Sequence, residues 1–282
     1  MTAPARSPHL PVRPDWLALY REPALEAELP IIDPHHHFYD RPGVRYLFFD
    51  LIDDLASGHN IRATVYMEAR TMYRADPPQE LRPVGETEFV AGMAAMGASE
   101  IYGPCRVCAG IVGHADLRLG ERVGDVLDAH IAVAGGRFRG IRQIAAWHAD
   151  RAANASVSAA PPGLLMDENF RKGFPALAQR GLSFDAWLYH TQLPDLLDLA
   201  RAFPDTTIVL NHVGGAIGVG PYAGKRDEVF AEWKASIAAL ARCPNMNVKL
   251  GGLGMRLFGF EVHSGRRPPS SEQLAEAWRP YI

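Results

Sequence analysis

Asp33-Pro34-His35-His36-His37-Phe38 is the densest run of chemistry-bearing side chains in this sequence. It follows the apolar pair Ile31-Ile32, which marks a strand from Leu29 to His37. Side chains alternate along a strand, so His35 and His37 point one way with Asp33, and His36 points the other. Two imidazoles on one face, two residues apart, can grip one divalent ion or one polar substrate. Imidazole nitrogen suits zinc, iron, nickel or copper more than magnesium or calcium. The plainer alternative is a surface histidine cluster. An affinity tag is excluded, because the run is short, internal and preceded by two isoleucines.

Two further histidines close apolar runs. His190 ends Phe184-Asp185-Ala186-Trp187-Leu188-Tyr189-His190, and His212 ends Ile208-Val209-Leu210-Asn211-His212. A lone histidine at a strand end is usually structural. Two of them downstream of His-x-His make a shared centre the better reading, with both as catalytic candidates and Tyr189 beside them as a substrate contact. Arg139 and Arg142 lie on opposite faces of Phe138-Arg139-Gly140-Ile141-Arg142 if that strand is regular. Either can hold a substrate carboxylate in bidentate fashion, and Arg142 lies nearer the C-terminal end. The alternative for each is a salt bridge to a helix. Glu68, after Val65-Tyr66-Met67, is a polar wall or a partner to the ligands. Lys249 is a further inward-pointing candidate, and His114 and His148 also follow strands. Cys105 and Cys108 form a C-x-x-C, but no second pair follows at zinc spacing. The surrounding run reads as a buried strand, so these are packing cysteines.

The elements that position these residues are legible as alternating patterns. Strands are expected at 29–37, 61–68, 105–113, 137–144, 182–189, 206–212 and 246–250. Helices are expected at 15–25, 49–57, 86–98, 119–134, 168–180, 193–203, 226–242 and 271–281. Strict alternation implies a parallel sheet covered by helices, which makes the fold α/β. A doubly wound sheet and a closed barrel both fit, and no G-x-G-x-x-G follows the first strand. Loops 69–85, 149–165 and 213–225 all follow strands, which places them on the C-terminal face of a barrel, where sites are built. Residues 1–29 read as an arm with a short helix, and residues 30–282 as the barrel.

Composition narrows the function. The chain has 282 residues, with 29 Lys plus Arg against 32 Asp plus Glu, so no basic excess points to nucleic acid. No stretch is apolar and long enough for a membrane span, and the N-terminus lacks a signal-peptide core. Three cysteines fit a reducing compartment, so a cytoplasmic location is expected.

The chain resembles the amidohydrolase-related (amidohydrolase 2) branch of the amidohydrolase superfamily and is similar to pyrone-dicarboxylate lactonase and sugar-acid lactonases. The matching stretches are Ile32 to Phe38, Phe138 to Arg142, the His190 strand, and Phe203-Pro204-Asp205-Thr206-Thr207-Ile208-Val209-Leu210-Asn211-His212-Val213-Gly214. The resemblance implies a distorted (β/α)8 TIM barrel with His35, His37, His190 and His212 at its mouth. It implies a divalent metal, most readily zinc, on His35, His37 and His190, or none, since lactonase members can work without one. It implies a hydrolase acting on a small, anionic cyclic ester, amide or related carbonyl compound, with a zinc-dependent decarboxylase or a non-catalytic remnant as alternatives. The family's strand-eight aspartate has no counterpart, because only seven strands are legible. The expectation is therefore an incomplete barrel, lacking strand eight and its helix, with little or no turnover of its own. Oligomeric state is left open.

Overall fold

The computed structural model describes residues 12–76, 78–154 and 160–282. The strands are β1 (Ile31–His36), β2 (Tyr39–Arg41), β3 (Val44–Tyr46), β4 (Ile61–Met67), β5 (Arg106–Gly113), β6 (Phe138–Arg142), β7 (Ser183–Ala186), β8 (Ile208–Leu210) and β9 (Met246–Val248). Seven of them form one parallel sheet in the order β1-β4-β5-β6-β7-β8-β9, and β2 and β3 form a separate antiparallel hairpin. Helices α1 (Pro14–Leu17), α2 (Phe48–Leu55), α3 (Val84–Gly97), α4 (Val123–Val133), α5 (Glu168–Gly173), α6 (Pro175–Ala178), α7 (Leu193–Ala202), α8 (Arg226–Leu240) and α9 (Ser271–Trp278) complete the α/β alternation.

The sheet is curled into most of a barrel. In a flat sheet β1 and β8 would lie about 24 Å apart, at about 4.8 Å per strand. Instead the rings of His35, on β1, and His212, just past β8, have centroids 4.5 Å apart. Seven parallel strands are present among the described residues, and β1 and β9 each pair on one side only. Ile32 and Val248 on these two strands are exposed. The architecture is that of a TIM-type barrel with seven of its strands, and no eighth unit, among the described residues.

The core explains the alternation. Ile111, Ile141, Phe184 and Ile208 on the strands are fully buried, as are Leu127, Phe170, Phe174, Leu177 and Leu196 on the covering helices and their junctions. Each such side chain contributes about 1.5–3 kcal/mol relative to exposure. Two expected helices differ. The segment 15–25 is helical only in α1, and the predicted 168–180 helix divides into α5 and α6 at Phe174-Pro175. Pro175 brings no N–H to the helical ladder, so the turn preceding it cannot run on unbroken. The arm's residues 1–11 lie outside the described residues.

Candidate active site

His35 and His37 leave the C-terminal end of β1 side by side, with their Nε2 atoms 3.2 Å apart. His37 Nδ1 lies 2.9 Å from the Met67 carbonyl. A carbonyl only accepts, so Nδ1 carries the proton, and Nε2 of the neutral ring presents a lone pair. His35 Nε2 lies 3.4 Å from Arg142 Nη1, and a guanidinium only donates, so this Nε2 is also an acceptor. Each Nε2 has one lone pair and that of His35 is turned to Arg142, so a cation shared by the two rings would take the place of the Arg142 contact. Bonds of 2.0–2.1 Å to a tetrahedral zinc place two nitrogens about 3.3 Å apart. The His37 contact to a backbone carbonyl is also the kind of outer hydrogen bond that fixes a metal-ligating ring. His35 Nδ1 is buried without a partner among the described residues.

His212 joins this pair from the other side of the barrel. Its ring stands 4.5 Å from His35 and meets Trp187 edge-on at 5.0 Å. Burial, with Arg142 and Lys249 nearby, pushes His212 down to about 3. Burial, then the neighbouring His212 and Arg142, holds His35 well below the ordinary imidazole value. His37 is lowered chiefly by burial, with Arg142 adding to it. All three rings are therefore neutral at physiological pH, the form that binds a metal or donates one hydrogen bond.

His212 reaches the cluster through an unusual backbone. Residues His212, Val213, Gly214 and Gly215 have φ of 52°, 48°, 78° and 53°, a left-handed turn. Val213, a β-branched residue, is an outlier there. The turn is pinned by Trp233 Nε1, which donates to the Val213 carbonyl at 2.6 Å, and by Val213 N–H, which donates to the Lys249 carbonyl at 3.1 Å. Gly252 lies against His212, and a Cβ there would fall 2.5 Å from His212 Nδ1. Only glycine leaves the imidazole its place.

Arg142 ends β6 and is held by Glu68, the residue after β4. Arg142 Nε donates to Glu68 Oε1 at 2.8 Å, and Nη2 donates to the Glu68 carbonyl at 2.6 Å. Both side chains are almost wholly buried. This clamp leaves Nη1 directed at His35. A second buried pair joins Lys249 Nζ to Asp185 Oδ1 at 2.7 Å, and Asn211 Nδ2 also donates to Asp185 at 2.8 Å. Burial lowers Lys249 while Asp185 pulls the other way. Among the described residues, the carboxylates around the histidines are all engaged: Glu68 by Arg142, Asp185 by Lys249, and Asp33 by the His35 backbone N–H.

The other expected residues are placed differently. His190 begins a short 3-10 turn after the β7 segment. Its Nδ1 accepts from Ile217 N–H at 3.3 Å, its ring packs on Tyr222 at 5.1 Å, and its buried Nε2 lies 4.0 Å from Glu232. It makes no ring contact or hydrogen bond with His35, His37 or His212. Among the described residues no group of three or more His, Cys, Asp or Glu is arranged to hold a metal ion. Tyr189 is buried beside Trp187, and its hydroxyl donates to Asn154 at 3.2 Å. Arg139 is exposed near the start of β6 and donates to the carbonyls of Gly136 and Phe138. His114 Nδ1 donates to the Arg142 carbonyl at 3.1 Å, and His148 Nε2 contacts the Tyr222 hydroxyl at 3.2 Å. Cys108 is buried, and the three cysteines are free.

A cavity of about 160 Å³ opens beside the cluster, lined by Tyr39, Arg41, Glu68, Arg70, Arg142 and Ile144. Its three arginines outnumber the one carboxylate, which leaves its wall positively charged. Arg41 comes from the β2–β3 hairpin and Arg70 from the loop after β4, positions that carry no periodic signal in the sequence. Asp185 was readable: it is the one charge in the four-residue strand β7.

The amidohydrolase family model matches residues 32–282. The y4mH protein of Sinorhizobium fredii (strain NGR234) is 34% identical over 271 residues, covering 88% of this chain and 81% of that one. The L-fucono-1,5-lactonase of Burkholderia ambifaria is 28% identical over 192 residues, 64% of this chain and 59% of that one. An amidohydrolase from Burkholderia multivorans, solved with bound zinc, superimposes with a TM-score of 0.60 at 24% identity, over 88% of this chain and 77% of that one.

Proposed function

Since the chain belongs to the amidohydrolase family, we propose that it hydrolyses a small anionic carbonyl compound, a cyclic ester above all. The observation that carries this reading is the meeting of His35, His37 and His212 with Arg142 at one rim of the barrel. The lactonase likeness agrees with a cyclic ester. The arginine-lined cavity takes the negative charge of the substrate. Arg142 is its fixed point, because Glu68 holds two of its nitrogens while the third faces His35. His212, neutral and buried, orients and polarises the scissile carbonyl as a hydrogen-bond partner. It is too weak a base, at about 3, to take a proton from water. Lys249, its ammonium held by Asp185, adds positive charge to the surroundings of His35 and His212.

His35 and His37 fit two positions of a divalent ion, zinc first, and His190 is the third ligand that the sequence pattern offers. Such an ion, when bound, supplies Lewis-acid polarisation of the carbonyl. We place the enzyme in the cytoplasm on the strength of its three free cysteines. No helix among the described residues is long and apolar enough to cross a membrane.

The test is a panel of lactone and aromatic acids, followed for ring opening and for CO2 release, with and without chelator. Ring opening supports the proposal. CO2 release in its place makes the chain a decarboxylase, and silence on every compound makes it a binding remnant. Metal analysis of two variants locates the ion. His37→Ala should empty the site, and His190→Ala should empty it only if that ring swings in as a ligand.

A further inference from the structure

Glu86, in the first turn of α3, is a buried carboxyl that the proposed chemistry does not use. Its Oε1 accepts from the Tyr66 hydroxyl at 2.8 Å, from Ala69 N–H at 2.7 Å and from Thr71 N–H at 3.4 Å. None of these donors is a cation. All three come from β4 and the loop that follows it. A buried acid so placed organises that loop rather than balancing a charge.

The loop needs organising. Arg70, between the two bonded amides, has φ of 56°, a left-handed conformation that arginine ordinarily avoids. A backbone that turns this way points neighbouring N–H groups into one concavity, which receives a negative charge. Glu86 fills that concavity, on the side away from solvent. Met72 follows with φ of 50°, and its carbonyl lies against Gly85, where a Cβ would fall 2.7 Å from it. Gly85 and Glu86 thus seat the loop on the start of α3.

Arg70 is the loop residue that matters to the smaller cavity. Of the three arginines there, Arg142 is committed to Glu68 and His35, and Arg41 lies over the Tyr39 ring at 5.2 Å. Arg70 has no hydrogen bond, ion pair or ring contact among the described residues. Its guanidinium is the uncommitted charge, set on a backbone that Glu86 fixes.

We infer that Arg70 is the specificity-determining residue for an anionic group of the substrate, and that Glu86 is its positioning residue. The inference rests on the proposed reading of this cavity as the place where substrate charge sits. Either protonation state of Glu86 leaves Oε1 an acceptor, so the role belongs to the oxygen and not to the charge.

The test is calorimetric and needs no turnover. Glutarate, a five-carbon dicarboxylate, is titrated at low ionic strength. Arg70→Gln should weaken its binding about threefold to tenfold, the range for one lost hydrogen bond, and Glu86→Leu should match that loss. Glu86→Gln, which keeps an oxygen for the two amides, should stay within about twofold of wild type. The double variant Arg70→Gln with Glu86→Leu should bind no more weakly than Arg70→Gln alone, because Glu86 acts through Arg70. If Glu86→Leu does not fold, Glu86→Asp, one methylene shorter, takes its place in the same comparison. No glutarate binding by wild type, unchanged affinity in Arg70→Gln, or an equal loss from the Glu86 change with and without Arg70 would overturn the inference. A series that behaves as expected in a protein that opens no lactone keeps both roles and removes the hydrolase reading.

Discussion

Replacing Glu68 with alanine would leave the Arg142 guanidinium buried with no counter-charge. Arg142 is only 5% exposed, and Glu68 supplies both of its close acceptors, one side-chain oxygen and one carbonyl. Alanine keeps the carbonyl and deletes the charge. Breaking one side of a buried pair costs about 3–5 kcal/mol, because the remaining ion can neither return to water nor lose its proton. Glu68→Gln, which retains an acceptor of the same shape, should cost about 1–3 kcal/mol, the value of a charge-assisted bond. The double variant Glu68→Leu with Arg142→Leu removes both charges and should lie within about 2 kcal/mol of wild type. Urea unfolding followed by tryptophan fluorescence measures all three, provided the slope of the transition is unchanged. A loss under about 1 kcal/mol for Glu68→Ala, or a double variant less stable than Glu68→Ala, would refute the claim that mutual desolvation binds this pair.

Glu86 offers a pH test. Burial, followed by the charge of Glu68, pushes it up to about 7 while its oxygen accepts from Tyr66 and from Ala69 N–H. A carboxyl raised above its unfolded value stabilises the fold below about pH 4.5 and loses that contribution as pH rises through 7. The Glu86 contribution should therefore fall by a few kcal/mol across that window, at about 1.4 kcal/mol for each tenfold change in proton affinity, against the rise from the buried neutral histidines, and Glu86→Gln should make stability climb more steeply with pH there. An unchanged slope in the variant rules that contribution out. Gly252→Ala should displace His212 and reduce kcat by about 100-fold, the scale of a 1 Å misplacement, with the circular dichroism spectrum retained. Full activity in that variant would show that the His212 position does not matter to the chemistry.

The sheet was legible because most of its strands carry a short apolar run, such as Val107 to Val112 in β5 and Ile208 to Leu210 in β8, bounded by polar turns. Its strand ends were less so. The expected 182–189 strand stops at Ala186, and 206–212 stops at Leu210. Trp187 to His190 and Asn211 to His212 continue the strands in sequence, but they leave the ladder to build the rim. That is why alternation located His35 and His37 yet gave no guidance at His190: the period of two ends where the hydrogen bonding ends. His212 was found by its place at a strand end, although its left-handed backbone could not be foreseen from a residue type that ordinarily avoids it. Arg41 and Arg70 come from a hairpin and a loop whose shape depends on distant contacts, Glu86 holding the Ala69 backbone among them. No local pattern encodes such a position.

The left-handed turn at 212–215 sets durability against catalysis. Each non-glycine residue held in that conformation costs roughly 1–2 kcal/mol, and two of the four are not glycine. A library screened only for survival at high temperature should accumulate asparagine or glycine at 212 and glycine at 213. Those winners would outlast the parent on the bench and open no rings, so thermal hardening of this protein has to be sought elsewhere in the chain.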